Sequence, residues 1–206
     1  MELLQTILGE ATALTGWEAL SVVLALAYLI LAMKQSIWCW PAAFISSAIY
    51  VVIFWQVSLL MEAVLSAYYV AMAIYGYWMW TKGSQDSSGN SIGVKVTSWS
   101  ATAHVKIIVA MTILSLGIGY FMATNTSASF PYLDAATTCF AIMTTYLVAK
   151  KVLENWIYWI FINSVSIYLY SSKGLMLTST LFVLYVILAF IGYAQWRKNL
   201  THAQQV

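Results

Sequence analysis

The chain has 206 residues, of which 62% are apolar, 16% aromatic and only 8% charged. Soluble domains carry about a quarter charged residues, so the bilayer is the natural solvent for this sequence. Its formal charge of +2 is scattered, without the dense basic patch that nucleic-acid binding requires, and nucleic acid is excluded as a partner.

Residues 1–17 contain Glu2 and Glu10 but no Lys or Arg, so no basic leader region is expected and the first apolar segment should stay in the mature protein. A bilayer core of about 30 Å takes around 20 mostly apolar residues per helix. Seven segments meet that demand, at 17–33, 37–55, 60–80, 104–123, 133–149, 154–171 and 175–196. Their apolar runs are continuous rather than alternating, which excludes a β-barrel. The loops between them are short except for the polar connection from Lys82 to Ala103, where residues 83–91 read as a flexible linker. With seven spans, Lys34, Lys82, Lys95, Lys106, Lys150, Lys151, Arg197 and Lys198 fall on one side and only Lys173 on the other. The positive side faces the cytoplasm, which places the N-terminus outside and the C-terminus inside.

Sliding the sequence by 116 residues without a gap aligns Glu18 with Asp134, Lys34 with Lys150, Trp40 with Trp156, Ser47 with Asn163 and Tyr69 with Tyr185. The register then carries Gly76, Tyr77, Trp80 and Lys82 onto Gly192, Tyr193, Trp196 and Lys198. Such agreement among tryptophans, glycines and lysines reads as a duplication. The expected fold is therefore all-α and integral to the membrane: one domain with repeat one at 17–82, a linker helix at 104–123 and repeat two at 133–198. Three helices, one inverting helix and three more give parallel repeats about an axis along the membrane normal, as in SWEET transporters, with the substrate site expected between the halves.

The densest chemistry lies at the start of the sixth segment. On a helix Trp156, Trp159, Asn163, Ser166 and Tyr170 share one face, and the register gives Trp40, Ser47, Tyr50 and Phe54 the matching face of the second segment. Two such faces meeting across the axis would form a slot for a flat, cationic ring, held by stacking, cation–π attraction and hydrogen bonds from Asn163. Tryptophans near span ends also form the interfacial belt, and Trp38, Trp78, Trp80 and Trp196 are assigned to it; Trp156 fits either reading. Trp159 and Asn163 lie deeper, where an amide needs a partner.

The acids Glu18, Glu62 and Asp134 are expected at outer span ends and Glu154 at an inner end, either solvated or, for the outer three, attracting a cationic solute. Pro41 should bend or open the start of the second segment. Cys39 and Cys139 read as small buried residues. His104 and His202 have no ligand-like neighbour in sequence, and no phosphate-binding loop is present, so neither metal nor nucleotide cofactor is expected. An enzyme would need an acid, nucleophile or metal cluster at one depth, and a channel a polar stripe on several helices; neither pattern is present.

With Asp134-Ala135, Lys150-Lys151-Val152-Leu153-Glu154-Asn155-Trp156, Trp159, Asn163 and the closing Gly192 and Trp196, the sequence resembles the PnuC family of vitamin transporters over nearly its whole length. The resemblance implies alternating-access, facilitated uptake of an unphosphorylated vitamin precursor across the bacterial inner membrane. Nicotinamide riboside is the first expectation and thiamine the alternative, with a cytoplasmic kinase trapping the product. It maps substrate contacts onto Trp156, Trp159 and Asn163. Leu133 departs from family members that carry Trp before the Asp. Beyond solute, bilayer and kinase, a homo-oligomer is compatible with the sequence.

Overall fold

The computed structural model describes residues 4–7, 9, 16–56, 60–83, 93–126 and 128–203. Apart from Gly83, the linker expected over 83–91 lies outside them, as do Glu2 and Glu10. Seven named helices follow in order: α1 (Gly16–Met33), α2 (Cys39–Gln56), α3 (Leu60–Lys82), α4 (Ala101–Asn125), α5 (Pro131–Ala149), α6 (Asn155–Ser172) and α7 (Met176–Ala203). Each overlaps one expected segment.

Local chemistry sets the ends. The Ser100 side chain accepts a hydrogen bond from the Ala103 N–H and caps α4. Pro131 starts α5, where no N–H partner is lost. Pro41 sits in the first turn of α2, whose other end runs on to Gln56; at the matching position Ile157 donates its N–H to the Glu154 carbonyl, a bond proline cannot make.

The duplicated register reappears in the backbone. The bounds of α2 moved by 116 residues are those of α6. Gln35 and Lys151, one register apart, are the two non-glycine residues with positive φ among the described residues, at 54° and 51°. The hydrogen bonds of their turns also match: Ser36 N to Leu31 O and Val152 N to Leu147 O, both at 2.9 Å. Packing follows the same symmetry. α2 lies along α1 and α3, and α6 along α5 and α7; the halves meet where α1 touches α7 and α3 touches α5. The fourth helix packs mainly on α5, with His104 in its first turn reaching Tyr158 of α6.

Five helices, α1, α2, α4, α5 and α7, are long and apolar enough to cross a membrane. The other two expected spans, α3 and α6, have 23 and 18 residues but carry more tyrosines and tryptophans, and α6 two asparagines, which lower their hydropathy. Side chains such as Val109, Ile113, Phe121, Phe161 and Phe190 are exposed. Such an outer surface is unstable in water and ordinary against lipid.

The main apolar core gathers at one end. It joins Ala32, Met33, Cys39, Trp40, Ala73, Met79 and Trp80 of the first half to Val148, Ala149, Leu153, Trp156, Ala189 and Trp196 of the second. Cys39 and Cys139 are buried and free, as expected of small core residues.

Candidate functional site

The face expected on α6 does point inward. Trp156, Asn163 and Ser166 are buried, Trp159 and Tyr170 half-buried, while Ile157, Phe161 and Ser164 on the opposite side are exposed. The Ser166 hydroxyl donates to the Ile162 carbonyl at 3.0 Å, leaving its oxygen free to accept. Asn163 is only 5% exposed, yet its amide makes no hydrogen bond to any described residue.

On α2, Ser47 and Tyr50 are half-buried, Tyr50 stacks on Phe54 at 5.4 Å and 14°, and the adjacent Ser46 donates to the Ser21 carbonyl at 2.9 Å. The expected slot required α2 and α6 to meet, and they do not pack on one another. Tyrosines of the third helix in each half lie near these two faces. Tyr69 of α3 has Tyr28 and Tyr170 as electrostatic neighbours, and its register mate Tyr185 of α7 has Tyr50. Phe182 stacks face to face on Tyr170 at 5.1 Å and stands edge-on to Tyr185 at 5.6 Å. Sequence reasoning aligned Tyr69 with Tyr185 but did not assign them to the site. Their matching positions, each reaching toward the other repeat, were the available signal.

Trp40 and Trp156 are 2% and 1% exposed, and the indole N–H of each is buried without a hydrogen-bond partner among the described residues. Each lies flat against a glycine: a Cβ on Gly76 would collide with the Trp40 ring, and one on Gly192 would come within 2.7 Å of Trp156. Trp80 stands edge-on to Trp40 at 5.3 Å and Trp196 edge-on to Trp156 at 5.4 Å. Their assignment to the interfacial belt is corrected. Trp196 is fully buried and donates to the Ala32 carbonyl at 3.1 Å; Trp80, 7% exposed, donates to the Ala149 carbonyl at the same distance. The indole N–H finds a backbone carbonyl of the opposite repeat, so neither ring needs the lipid interface. Trp38 and Trp78 are exposed, in keeping with a belt.

At the far end from this core, Asp134 pairs with Lys173 at 3.5 Å, so its charge is already matched. The Lys173 ammonium also lies 6.0 Å from the Tyr170 ring. At the core end, Glu154 is not simply solvated: it accepts hydrogen bonds from the Ser98 hydroxyl and the Trp99 N–H and lies 3.5 Å from His104 Nε2. His104 thus has close polar neighbours that its sequence context did not reveal, including the Tyr158 hydroxyl at 2.9 Å from Nδ1. Among the described residues no group of three or more metal-ligating side chains converges.

Residues 15–198 match the profile of a family described as nicotinamide mononucleotide transporter. The chain is 24% identical over 203 residues to the nicotinamide riboside transporter PnuC of Escherichia coli (strain K12), an alignment covering 87% of this chain and 84% of that protein. It is 25% identical over 175 residues to the riboflavin/roseoflavin transporter RibM of Streptomyces davaonensis, covering 84% and 81%. A crystal structure of the vitamin B3 transporter PnuC superposes with a TM-score of 0.73 at 19% identity, covering 97% of this chain and 90% of that one.

Proposed function

The chain belongs to the nicotinamide mononucleotide transporter family, the PnuC type, and is a multi-pass membrane transporter rather than an enzyme; from that premise we propose that it carries nicotinamide riboside into the cell. Uptake is by facilitated diffusion across the bacterial inner membrane, with a cytoplasmic kinase trapping the solute by phosphorylation. The observation that carries a solute site is Asn163, a polar residue only 5% exposed on the same inward face as Trp159, Ser166 and Tyr170.

The site in this reading is the space lined by Asn163, Trp159, Ser166 and Tyr170 of α6, Ser47 and Tyr50 of α2, and Tyr69 and Tyr185 between them. Aromatic faces hold a flat cationic ring, and the Asn163 amide, which can donate and accept, orients its polar groups. Trp40 and Trp156 close its inner floor.

A plan of three, one and three spans, N-terminus outside, accommodates all seven helices. The matching bounds of α2 and α6 and the matching positive-φ residues Gln35 and Lys151 support that plan. Alternating access is then a rocking of repeat one against repeat two, and in this reading the apolar core at the positively charged end closes the cytoplasmic side.

Riboflavin is the second reading, favoured because identity to RibM is as high as to PnuC. Thiamine, the other aromatic cation that fits such a slot, appears in no relative named above. The test is titration of purified protein with nicotinamide riboside, riboflavin and thiamine separately, by tryptophan fluorescence and calorimetry, with Asn163→Ala alongside. Nicotinamide riboside should bind wild type and lose at least tenfold in affinity with Asn163→Ala. Preferential binding of another vitamin overturns the substrate, and unchanged affinity in the folded variant removes Asn163 from the site.

A further inference from the structure

The connection between α3 and α4 is not merely a linker where it approaches α4. Residues 93–96 lie on the first half: a Cβ on Gly93, whose φ is 69°, would run into the Trp80 carbonyl, and Val94 approaches Gly83 so closely that a Cβ there would meet it at 2.7 Å. Val96 is buried in the main core beside residues of both repeats. From Thr97 the segment crosses to the second half. The Thr97 N–H donates to the Lys151 carbonyl at 3.0 Å, and the Thr97 carbonyl accepts from the Leu153 N–H at 2.8 Å, a parallel bridge onto the α5–α6 turn.

The next residues fasten it. Ser98 and the Trp99 N–H donate to Glu154, Trp99 packs on the Leu147 and Val152 cluster, and His104, one turn into α4, adds its ring to the same carboxylate. Eight residues therefore span both repeats at the end closed by the tryptophan core, and the next residue after Glu154 begins α6. The attachment to the first half is apolar, through Val94 and Val96, whereas the attachment to the second adds to the Trp99 packing a set of exchangeable polar bonds at Thr97, Ser98 and Glu154. Where two bodies must separate, the polar bonds are the cheaper to break, because water replaces them and does not replace buried apolar contact.

We propose that residues 93–100 form a latch across the inner end, released at the Thr97–Val152 bridge when the carrier opens inward, with Glu154 as its positioning residue. The proposal rests on the alternating-access reading above. In that cycle the latch stays with α3 and leaves the α5–α6 turn, and closing restores the Glu154 contacts that hold α6 in place.

The experiment joins Thr97→Cys to Val152→Cys by mild oxidation in reconstituted protein. Oxidation should lower nicotinamide riboside uptake at least tenfold while binding persists, and reductant should restore it; equal uptake in oxidised and reduced protein overturns the latch. A second measurement needs no substrate. Ala149→Cys, buried behind the latch, should react with a polar maleimide several-fold faster when Glu154→Ala is added, in protein of unchanged helicity and monodispersity. Equal reactivity overturns the latch. Absence of uptake by the unmodified carrier counts against the transport reading instead, and the labelling still decides the latch.

Discussion

Trp80 and Trp196 lie 6.2 Å apart, centroid to centroid, and each sends its indole N–H into the opposite repeat, Trp80 to the Ala149 carbonyl and Trp196 to the Ala32 carbonyl. The two bonds form a reciprocal tie between the halves, from α3 to the end of α5 and from α7 to the end of α1. Replacing Trp80 by phenylalanine leaves the Ala149 carbonyl without its indole donor, costing about 1–3 kcal/mol, whereas the Ala32 carbonyl keeps the Gln35 N–H when Trp196 is replaced and the loss there is smaller. Because the rings also touch each other, Trp80→Phe and Trp196→Phe together should depart from the sum of the single effects by at least about 0.5 kcal/mol. Denaturation of the purified protein followed by circular dichroism checks this, and strict additivity would mean that the two ties act independently.

The glycines beneath Trp40 and Trp156 should resist even a methyl group. Gly76→Ala and Gly192→Ala each force a large ring to move within a packed core, at a cost of about 1–3 kcal/mol. Pairing Gly76→Ala with Trp40→Leu should recover part of that loss, because the smaller side chain vacates the space the new methyl occupies. Thermal unfolding of the single and double variants tests the pairing.

Tyr69 and Tyr185 stand at equivalent positions but reach different neighbours, Tyr170 in one case and Tyr50 in the other. If they line a solute path, Tyr69→Ala and Tyr185→Ala should each weaken uptake at least fivefold, while Tyr→Phe at either position, which keeps the ring, should weaken it less. Transport assays with both pairs of variants distinguish the ring from the hydroxyl; equal losses for Ala and Phe would assign the role to the hydroxyl.

Lys151, in the turn before α6, has its ammonium 4.3 Å from the centre of the Trp80 ring, and burial holds its pKa below the usual lysine value of 10.5, with Cys39 acting weakly in the opposite sense. Between the folded and the unfolded values the unfolded chain binds more protons, so this group's contribution to stability rises with pH. Its burial cost is fully present below the folded value and is relieved as pH climbs through that value toward 10.5. The stability of wild type relative to Lys151→Met should therefore improve as pH rises from neutral to alkaline. A difference that falls over that range would show the cation–π contact, lost on deprotonation, to be the larger effect.

Much of this protein was written one residue at a time. Continuous apolar runs can only be helices in a bilayer, since every backbone N–H and C=O must find its partner within the segment, and the segment bounds were readable to within a few residues except at the end of α7, which runs seven residues past 196 to Ala203. The duplication was legible for a similar reason: the glycines under Trp40 and Trp156 and the residues of the turns are held by local sterics that each copy must satisfy separately. The inward face of α6 followed from helical spacing alone.

Partnership across the fold was not local. The belt and the core take the same tryptophans, and only the approach of Ala149 and Ala32 drew Trp80 and Trp196 inside. Likewise, Glu154 and His104 are separated by 50 residues of chain, and their contact exists because a parallel bridge brings Thr97 against the α5–α6 turn. The sequence by itself determined which segments are helices, which face of α6 turns inward and that the two halves share a register, because those follow from solvation and from spacing along the chain. Tertiary structure decided which side chains complete one another between helices, because hydrogen bonds and ring contacts depend on distances that no spacing along the chain encodes.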